Sequence, residues 1–274
     1  MAEPEVSVVM AVYHAQLPTL KEAVECILQQ TFTDFEFLIV DDGNGEEALA
    51  YLSAVTARDP RVRVLHNEKN LGLTASLRSA ITSARGQLIA RQDADDLSRP
   101  ERLQEQRELF AASPRLVLAG TWYDTLSENG DVATFSPRND SAGLKREMFH
   151  RNPFCHASTM FRRGAYLQAG GYDARFRTTQ DLDLWFRLAR LGDLGMVERR
   201  LVTRRLFGDS ISHSSKAWRQ VANSFRIRWR ERGALGGGFA SMTILGATGY
   251  HALITLIPAS WRRHVSALRW RLGR

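Results

Sequence analysis

Leu88-Ile89-Ala90-Arg91-Gln92-Asp93-Ala94-Asp95-Asp96 is the stretch that decides the fold of this chain. The short apolar run at its start is typical of the end of a buried strand, and three carboxylates follow it within four positions. Ser98 and Glu101 have capping-box spacing with Pro100 between them, which predicts that a helix begins there. The carboxylates therefore lie where a strand ends, and open α/β sheets bind ligands at that edge.

Three carboxylates this close together repel one another, and a divalent cation would stabilise them. The alternative is an acidic helix N-terminus that complements the helix dipole and does no chemistry. An Asp-x-Asp triplet is too common to decide between the two, so the rest of the chain has to.

The residues before this stretch alternate between strand and helix patterns. Apolar, β-branched runs predict four strands, at Val6 to Val12, Phe35 to Val40, Val62 to Leu65 and Leu88 to Ala90. A capping box at Thr19 and Glu22 predicts one helix, and a stripe from Leu73 that stops at Gly86 predicts another. Strands separated by helices indicate βαβ units, so we expect an α/β fold with a mainly parallel sheet flanked by helices.

A second acidic segment, Asp41-Asp42-Gly43, follows the second predicted strand. Two acidic loops at one sheet edge can hold a nucleotide, one through the base or ribose and the other through a metal on the phosphates. The chain lacks both the G-x-G-x-x-G fingerprint and the Walker loop, which disfavours NAD-type and P-loop functions.

The middle of the chain predicts two more strands, Leu116 to Gly120 and Ser158 to Arg162, while residues 121–140 carry little signal. Leu182, Leu184 and Trp185 begin a helix with a wide buried face. Asp181 thus falls in the first helical turn, where an acid that only complements the helix dipole is the alternative to a catalytic one.

Taken in order, these motifs resemble those of the family 2 glycosyltransferases over roughly residues 5–210. The resemblance implies the GT-A fold, a Rossmann-like nucleotide-binding sheet, and inverting transfer of a sugar from a nucleotide-sugar. The motifs that carry it are Val6 to Tyr13, Val40-Asp41-Asp42-Gly43, Asn70-x-Gly72, Ala84-Arg85-Gly86, Asp93-Ala94-Asp95-Asp96 and Pro100-Glu101-Arg102-Leu103.

The resemblance places the donor side of the site at the ends of the strands. Asp95 corresponds to the metal ligand, and Asp93 to an acid on the ribose side or in support of the metal. Contacts to the base, most often uracil, correspond to Ala11, Tyr13 and Asp42. Mn²⁺ or Mg²⁺ suits such an oxygen-rich site.

The same resemblance makes Asp181 the general base, although Gln180 stands where the family usually has Glu. His156 and Trp185 are assigned to the acceptor side. A later family segment has a histidine at the position of Phe207, so either His213 takes that place at the metal or no residue does.

Arg205 belongs to this later segment and is assigned to the phosphates of the donor. Its guanidinium fork matches phosphate oxygens, which supports a contact to the diphosphate.

Basic charge is concentrated at the end of the chain. The net charge is +7 and the pI about 9.8, almost all from arginine. We expect a glycosyltransferase domain over residues 1–215 and a helical tail over residues 216–274. The tail begins with a basic amphipathic helix whose apolar stripe is Trp218, Val221, Phe225 and Trp229.

A run without charged side chains, Ala234 to Ile257, follows in the tail and is long enough to be a transmembrane candidate. Arginines cluster on both sides of it, contrary to the positive-inside tendency. We therefore expect the tail to lie in an anionic membrane surface rather than to span the membrane. The alternative is an appendage packed on the domain or on the second subunit of a homodimer.

Cys26 and Cys155 form neither a metal spacing nor a disulfide framework, and no signal peptide is evident. These features suit a bacterial enzyme at the cytoplasmic face of the inner membrane, acting on a saccharide or a lipid-linked saccharide. A polyprenyl phosphate is the alternative acceptor. A transferase that binds its donor without turnover is motivated by Gln180 and Phe207. A nucleic-acid-binding protein would explain the pI but not the acidic strand ends, so no nucleic acid is expected.

Overall fold

The structure is a computed structural model that describes residues 3–206, 217–236 and 240–256. Its strands are β1 (Val6–Val12), β2 (Phe35–Asp41), β3 (Val62–His66), β4 (Leu88–Arg91), β5 (Leu97–Ser98), β6 (Leu116–Ser127), β7 (Val132–Phe135), β8 (Met160–Arg162) and β9 (Asp193–Leu206).

The α-helices are α1 (Leu17–Leu28), α2 (Glu46–Arg58), α3 (Leu73–Ser83), α4 (Arg102–Ala112), α5 (Ser141–Glu147), α6 (Arg163–Gln168), α7 (Gln180–Ala189), α8 (Ala217–Glu231) and α9 (Ala240–Leu256). A 3₁₀ turn at His156–Ser158 and a π-helical turn at Arg232–Gly236 complete the described elements.

The strands form one sheet in the order β3-β2-β1-β4-β8-β6-β9-β5, and β7 pairs with β6. The first four strands are parallel, as the alternating pattern predicts. β8 then runs antiparallel between β4 and β6. Two short strands also pair antiparallel, β5 with β9 and β7 with β6. The sheet is therefore mixed, with its parallel half formed by the first 91 residues.

Helix boundaries differ from the predicted ones at two capping boxes. α1 begins at Leu17 with Gln16 as its N-cap, so Thr19 lies inside the first turn, where its hydroxyl donates to the Gln16 carbonyl at 2.8 Å. Ser98 lies in β5 and pairs with β9, so α4 begins only at Arg102. Tertiary pairing with a distant strand thus replaces the local cap.

The third helix also ends before the predicted glycine. α3 stops at Ser83, and the next backbone amides donate to side chains of neighbouring strands: Arg85 to Glu36 at 2.7 Å and Gly86 to the Ser7 hydroxyl at 2.9 Å. A Cβ at Gly86 would lie 2.6 Å from the Ser7 nitrogen. Gly86 is therefore required for close packing on β1, not for ending the helix.

The weakly patterned residues 121–140 contain the end of β6 and the β6–β7 hairpin. β6 also pairs in parallel with β9 along nearly its whole length. These strands are only partly buried, so they lack the continuous apolar runs that revealed the first four.

The core lies on both faces of the sheet. One apolar cluster packs α1 and α2 against β1 and β2, with Leu20 and Phe37 fully buried. The other packs α3, α5 and α7 on the opposite face, around Trp185 and Phe186. α8 joins this second cluster through Ile227. Of the helices within the described ranges, none combines the length and apolar character that crossing a bilayer requires.

Candidate active site

Parallel pairing brings the two acidic segments to the same edge of the sheet. β1 lies between β2 and β4, with Val12 opposite Asp41 and Val9 opposite Arg91. Because β2 and β4 run in the same direction, both acidic loops leave from the carboxyl ends of their strands, and Tyr13, which follows β1, is 53% exposed. Ala11, another of the three predicted base contacts, is a half-buried residue of β1.

The carboxylates after β2 are occupied by hydrogen bonds within the protein. Asp42 accepts from the Asn67 side chain at 2.7 Å and from the backbone amides of Leu71 and Gly72, both at 2.8 Å. Gly72 has φ +84, a conformation that glycine adopts without strain, and it is the N-cap of α3. Asp42 therefore fixes the turn that starts α3, in addition to any contact with a base.

Asp41 is similarly saturated. Its carboxylate accepts from the backbone amides of Gly43 and Asn44 at 3.3 and 3.1 Å, and His66 Nδ1 lies 3.2 Å away. Burial alone would raise the pKa of Asp41, but the hydrogen bonds from Asn44 and His66 outweigh it and the pKa is lowered.

The carboxylates after β4 have far fewer protein donors. Asp93 forms an ion pair with the buried Arg91, and although desolvation opposes it, the positive charge of Arg91 lowers the pKa of Asp93. Burial, and next the negative charge of Asp93, raise the pKa of Asp95. The same two causes raise the pKa of Asp96 well above its ordinary value. This loop therefore holds negative charge that the surrounding protein neutralises only in part.

The end of β9 lies next to this acidic loop and places arginine side chains beside it. The Arg205 amide donates to Asp96 Oδ1 at 2.9 Å, and its guanidinium lies 3.4 Å from the Asp95 carbonyl. The same guanidinium forms an ion pair with Glu22 of α1. Arg205 is thus beside the predicted metal ligand, whereas Phe207 and His213, predicted for the same region, lie outside the described residues.

Arg102 braces the acidic loop from inside, a role that the sequence reasoning missed. It is fully buried and donates to the Gln92 and Ser98 side chains at 3.0 and 2.8 Å and to the Arg91 carbonyl at 2.6 Å. Burial lowers the pKa of Arg102 to about 10. The motif Pro100-Glu101-Arg102-Leu103 was the available signal, because an arginine just after an acidic loop can hydrogen-bond to its backbone.

Asp181 lies in the first turn of α7, as predicted, and accepts a hydrogen bond of 2.7 Å from the Asn152 side chain. The N-cap, Thr179, has φ +63, a left-handed conformation that is strained for a β-branched residue. Gln180 is buried, and within the described part of the chain its Oε1 has no hydrogen-bond partner.

α7 is fixed from its far side by α8. Asp183 is buried and accepts from Arg187 at 2.5 Å and from Arg230 of α8 at 2.6 Å. Asn223 of α8 donates to Thr178, just before the strained N-cap. The start of α7 is therefore held by two neighbouring segments, the one that carries Asn152 and α8.

His156 lies between the acidic loop and α7. Its Nε2 is 2.8 Å from the Tyr172 hydroxyl, and its ring packs edge-on against Trp185 at 6.0 Å between centroids. Burial first, and then the positive charge of Arg91, lower the pKa of His156 to about 4, although the charges of Asp93 and Asp181 oppose this. The imidazole is neutral at physiological pH. The indole nitrogen of Trp185 is buried and unpaired within the described ranges.

The donor set after β4 fits a divalent cation. Among the described residues, no three His, Cys, Asp or Glu side chains already converge as a metal cluster. The carboxylate of Asp95, however, accepts no hydrogen bond from another described side chain, and its pKa is raised by burial and by the Asp93 charge. A hard cation would relieve that repulsion and would find carboxylate oxygens, the ligands it prefers.

The fold resembles that of solved structures of Staphylococcus aureus TarS. The TarS 1–349 complex with UDP has a TM-score of 0.71 at 12% identity, covering 90% of this chain and 71% of that chain. The complex with UDP-GlcNAc has a TM-score of 0.66 at 13% identity, covering 98% of this chain and 92% of that one. The GT-A fold expected from the motifs is confirmed.

Relatives found by sequence are more similar to this chain than the solved structures are, and they are named glycosyltransferases. An uncharacterized glycosyltransferase of Methanocaldococcus jannaschii is 35% identical over 190 residues, which are 68% of this chain and 65% of the relative. The O-antigen biosynthesis glycosyltransferase WbnJ of Escherichia coli is 31% identical over 184 residues, 67% of this chain and 71% of the relative. The profile of glycosyl transferase family 2 matches residues 7–169, more than half of the chain. This chain therefore belongs to glycosyl transferase family 2.

Proposed function

We propose that this glycosyltransferase moves a sugar from a UDP-sugar to a hydroxyl of a saccharide or lipid-linked saccharide, with inversion at the anomeric carbon. The observation that carries the proposal is that carboxylates of two separate segments come near His156. His156 packs against Trp185 of α7, the helix that begins beside Asp181, and the negative charges of Asp93 and Asp181 both oppose the lowering of the His156 pKa.

The donor side needs partners for a base, a ribose and a diphosphate. Tyr13 is exposed at the end of β1 and offers a ring face, and Asp42 fixes the adjacent turn. Arg205 lies beside Asp95 and offers a guanidinium to the phosphates. UDP is favoured because the residues from Val6 to Tyr13 and Asp42 resemble uracil-binding segments of the family and because the fold matches a UDP-bound neighbour.

Asp95, supported by Asp93, would hold a divalent cation, Mn²⁺ or Mg²⁺. A cation bound there neutralises charge on the departing diphosphate as a Lewis acid. Arg91 keeps Asp93 ionised, and Arg102 holds the backbone that carries both carboxylates.

Asp181 would act as the general base on the acceptor side. Asn152 donates to Oδ2, which leaves Oδ1 to accept the proton of the acceptor hydroxyl. The acceptor oxygen then bonds to C1 of the sugar as the bond from C1 to the diphosphate oxygen breaks, and UDP leaves. Because attack and departure occur on opposite faces, the configuration at C1 inverts. His156 and Trp185, whose rings pack edge-on against each other, would form part of the acceptor side.

The proposed acceptor class is supported by the relatives rather than by the site. WbnJ is named for O-antigen biosynthesis, which favours a cell-surface saccharide acceptor at the cytoplasmic face of a bacterial inner membrane. A polyprenyl phosphate acceptor, and a transferase that binds its donor without turnover, remain the alternatives. Gln180 motivates the latter, because its unpaired oxygen occupies the position of a family carboxylate.

Titration calorimetry with UDP, with and without Mn²⁺, tests the donor site. We expect Mn²⁺ to tighten UDP binding to the unaltered chain, and Asp95→Ala to abolish this gain because it removes the carboxylate without other side-chain partners. Asp131→Ala is the matched control, since Asp131 is exposed in the β6–β7 turn. If the unaltered chain binds GDP or dTDP but not UDP, the nucleotide is misassigned. If none of these nucleotides binds, the proposed donor site is wrong.

A further inference from the structure

α8 presents two chemically different faces. Its inner face packs on the domain: Ile227 is buried, and the buried Arg228 donates to the Met148 carbonyl at 2.8 Å. Glu231 is buried as well and forms ion pairs with Arg190 and Arg230. The side chains of this face are buried against the rest of the domain, so the inner face is not available to a partner.

The outer face of α8 carries Trp218 and Trp229, with Arg219 and Arg226 next to them, and the half-buried Phe225 at its border also packs against the core of the domain. Trp218 is 60% exposed and Trp229 is 36% exposed, and the Phe225 and Trp229 rings stack at 5.6 Å. Positions i and i+11 lie on one stripe of a helix, so the two exposed indole rings share one face of α8.

The arginines of this outer face differ from those of the inner face. Arg219 and Arg226 are exposed and form no ion pair with any carboxylate in the described part of the chain. The guanidinium of Arg232, just beyond α8, lies over the Trp229 ring at 4.1 Å. Aromatic side chains bordered by unpaired arginines are typical of helices that lie in a bilayer interface.

α9 packs against α8 and adds apolar surface next to it. Its residues Ala240, Ile244 and Ala247 are buried, whereas Met242 is 76% exposed and Leu245 57%. The whole helix, Ala240–Leu256, contains no Asp, Glu, Lys or Arg. The only acid of α8 and α9 together is the buried Glu231, so the exposed surface of the two helices carries no carboxylate.

We propose that the outer face of α8, together with the exposed side of α9, docks in the plane of an anionic bilayer. Trp218, Trp229 and Met242 would enter the acyl boundary, and Arg219 and Arg226 would contact lipid phosphates. A second copy of this chain is a poorer occupant, because a two-fold contact would bring the same unpaired arginines of both copies close together. The proposal concerns attachment and does not depend on the nature of the donor or the acceptor.

Vesicle flotation of the full chain tests this surface. We expect binding to vesicles that mix phosphatidylcholine with phosphatidylglycerol, weaker binding to phosphatidylcholine alone, and loss of binding as salt is raised. Arg219→Gln and Arg226→Gln should each weaken binding about fivefold, from roughly 1 kcal/mol per basic residue near the surface. Trp218→Ser with Trp229→Ser should weaken binding to both vesicle types.

Matched controls use exposed residues elsewhere on the domain. Arg115→Gln with Arg138→Gln removes the same amount of positive charge, and Leu167→Ser removes an exposed apolar side chain; all three residues are largely exposed. These variants should float like the unaltered chain. Chemical denaturation of every variant shows whether the fold is intact, and UDP binding, which needs no membrane, separates failure of this proposal from failure of the donor site.

Three outcomes would overturn the proposal. The first is the absence of flotation with anionic vesicles. The second is equal weakening by the control pair Arg115→Gln with Arg138→Gln, which would indicate attraction by net charge alone. The third is a dimer in light scattering that Trp218→Ser with Trp229→Ser converts to a monomer while flotation is unchanged, which would assign the face to a second copy.

Discussion

The loops after β2 and β4 both begin with aspartates at the same sheet edge, yet the protein treats their charges differently. Asp42 accepts three hydrogen bonds and the pKa of Asp41 is lowered, so the first loop is built around its carboxylates. The pKa values of Asp95 and Asp96 are raised, so the charged forms of these two carboxylates are electrostatically unfavourable in the second loop. We infer that the first pair serves mainly the structure, whereas the second set, with Asp181 opposite, serves the reaction.

The largest expected effect concerns Asp181, the proposed general base. Asp181→Asn should reduce sugar transfer about 100- to 10,000-fold, since an amide cannot take the proton of the acceptor hydroxyl. Donor binding should be unchanged, as measured by calorimetry with UDP and Mn²⁺. Asp173→Asn is a suitable control, because Asp173 pairs with the exposed Arg175 and has no part in the proposed reaction. Unchanged turnover in Asp181→Asn would remove Asp181 from the mechanism.

The next effect tests the structural role of the first loop. Asp42→Ala should lower the free energy of unfolding by about 2 kcal/mol, because partly buried donors at Asn67, Leu71 and Gly72 lose a charged acceptor. Chemical denaturation measures it. Asp34→Ala, at an exposed carboxylate, is the comparison and should change stability far less. If Asp42→Ala is as stable as the unaltered chain and loses only UDP binding, then Asp42 binds the ligand rather than stabilising the fold. That result would contradict the proposed difference between the two loops.

The smallest effect has the opposite sign. Asp95→Asn should raise the stability of the metal-free protein at neutral pH, by less than the change expected for Asp42→Ala, because it removes a carboxylate whose charged form is disfavoured by burial and by the Asp93 charge. The folded chain holds the Asp95 proton more tightly than the unfolded chain does. Its stability therefore falls as pH rises from the ordinary value of 3.8 through the raised pKa, and stays lowered above it.

Denaturation curves in a chelator at several pH values measure this effect. The gain from Asp95→Asn should be present at neutral pH and disappear below the ordinary pKa of the aspartate. Asp41→Asn should show the reverse: a loss of stability at neutral pH that disappears as pH falls through the lowered pKa of Asp41. A loss of stability in both variants would show that the two loops do not differ in the way proposed.

Sequence patterns were most informative in the parallel half of the sheet. β1, β2 and β4 are buried on both faces, so their apolar runs are continuous, and the predicted bounds differ from the observed ones by one residue at most. Local capping signals were wrong at Thr19 and Ser98. At Ser98 the reason is that pairing of β5 with β9, more than 100 residues away, takes precedence over the cap.

The sequence by itself determined the order of strands and helices, the presence of carboxylates at two strand ends and the basic, aromatic character of α8, because periodicity and charge are local properties. Only the tertiary structure decided which of those carboxylates are saturated, since the donors to Asp42 come from residues 67–72 and the cations near Asp95 come from Arg91 and β9. It also decided that one face of α8 packs on α7 while the other stays exposed. Those distinctions depend on distances between segments that are remote in sequence, and no local pattern encodes such distances.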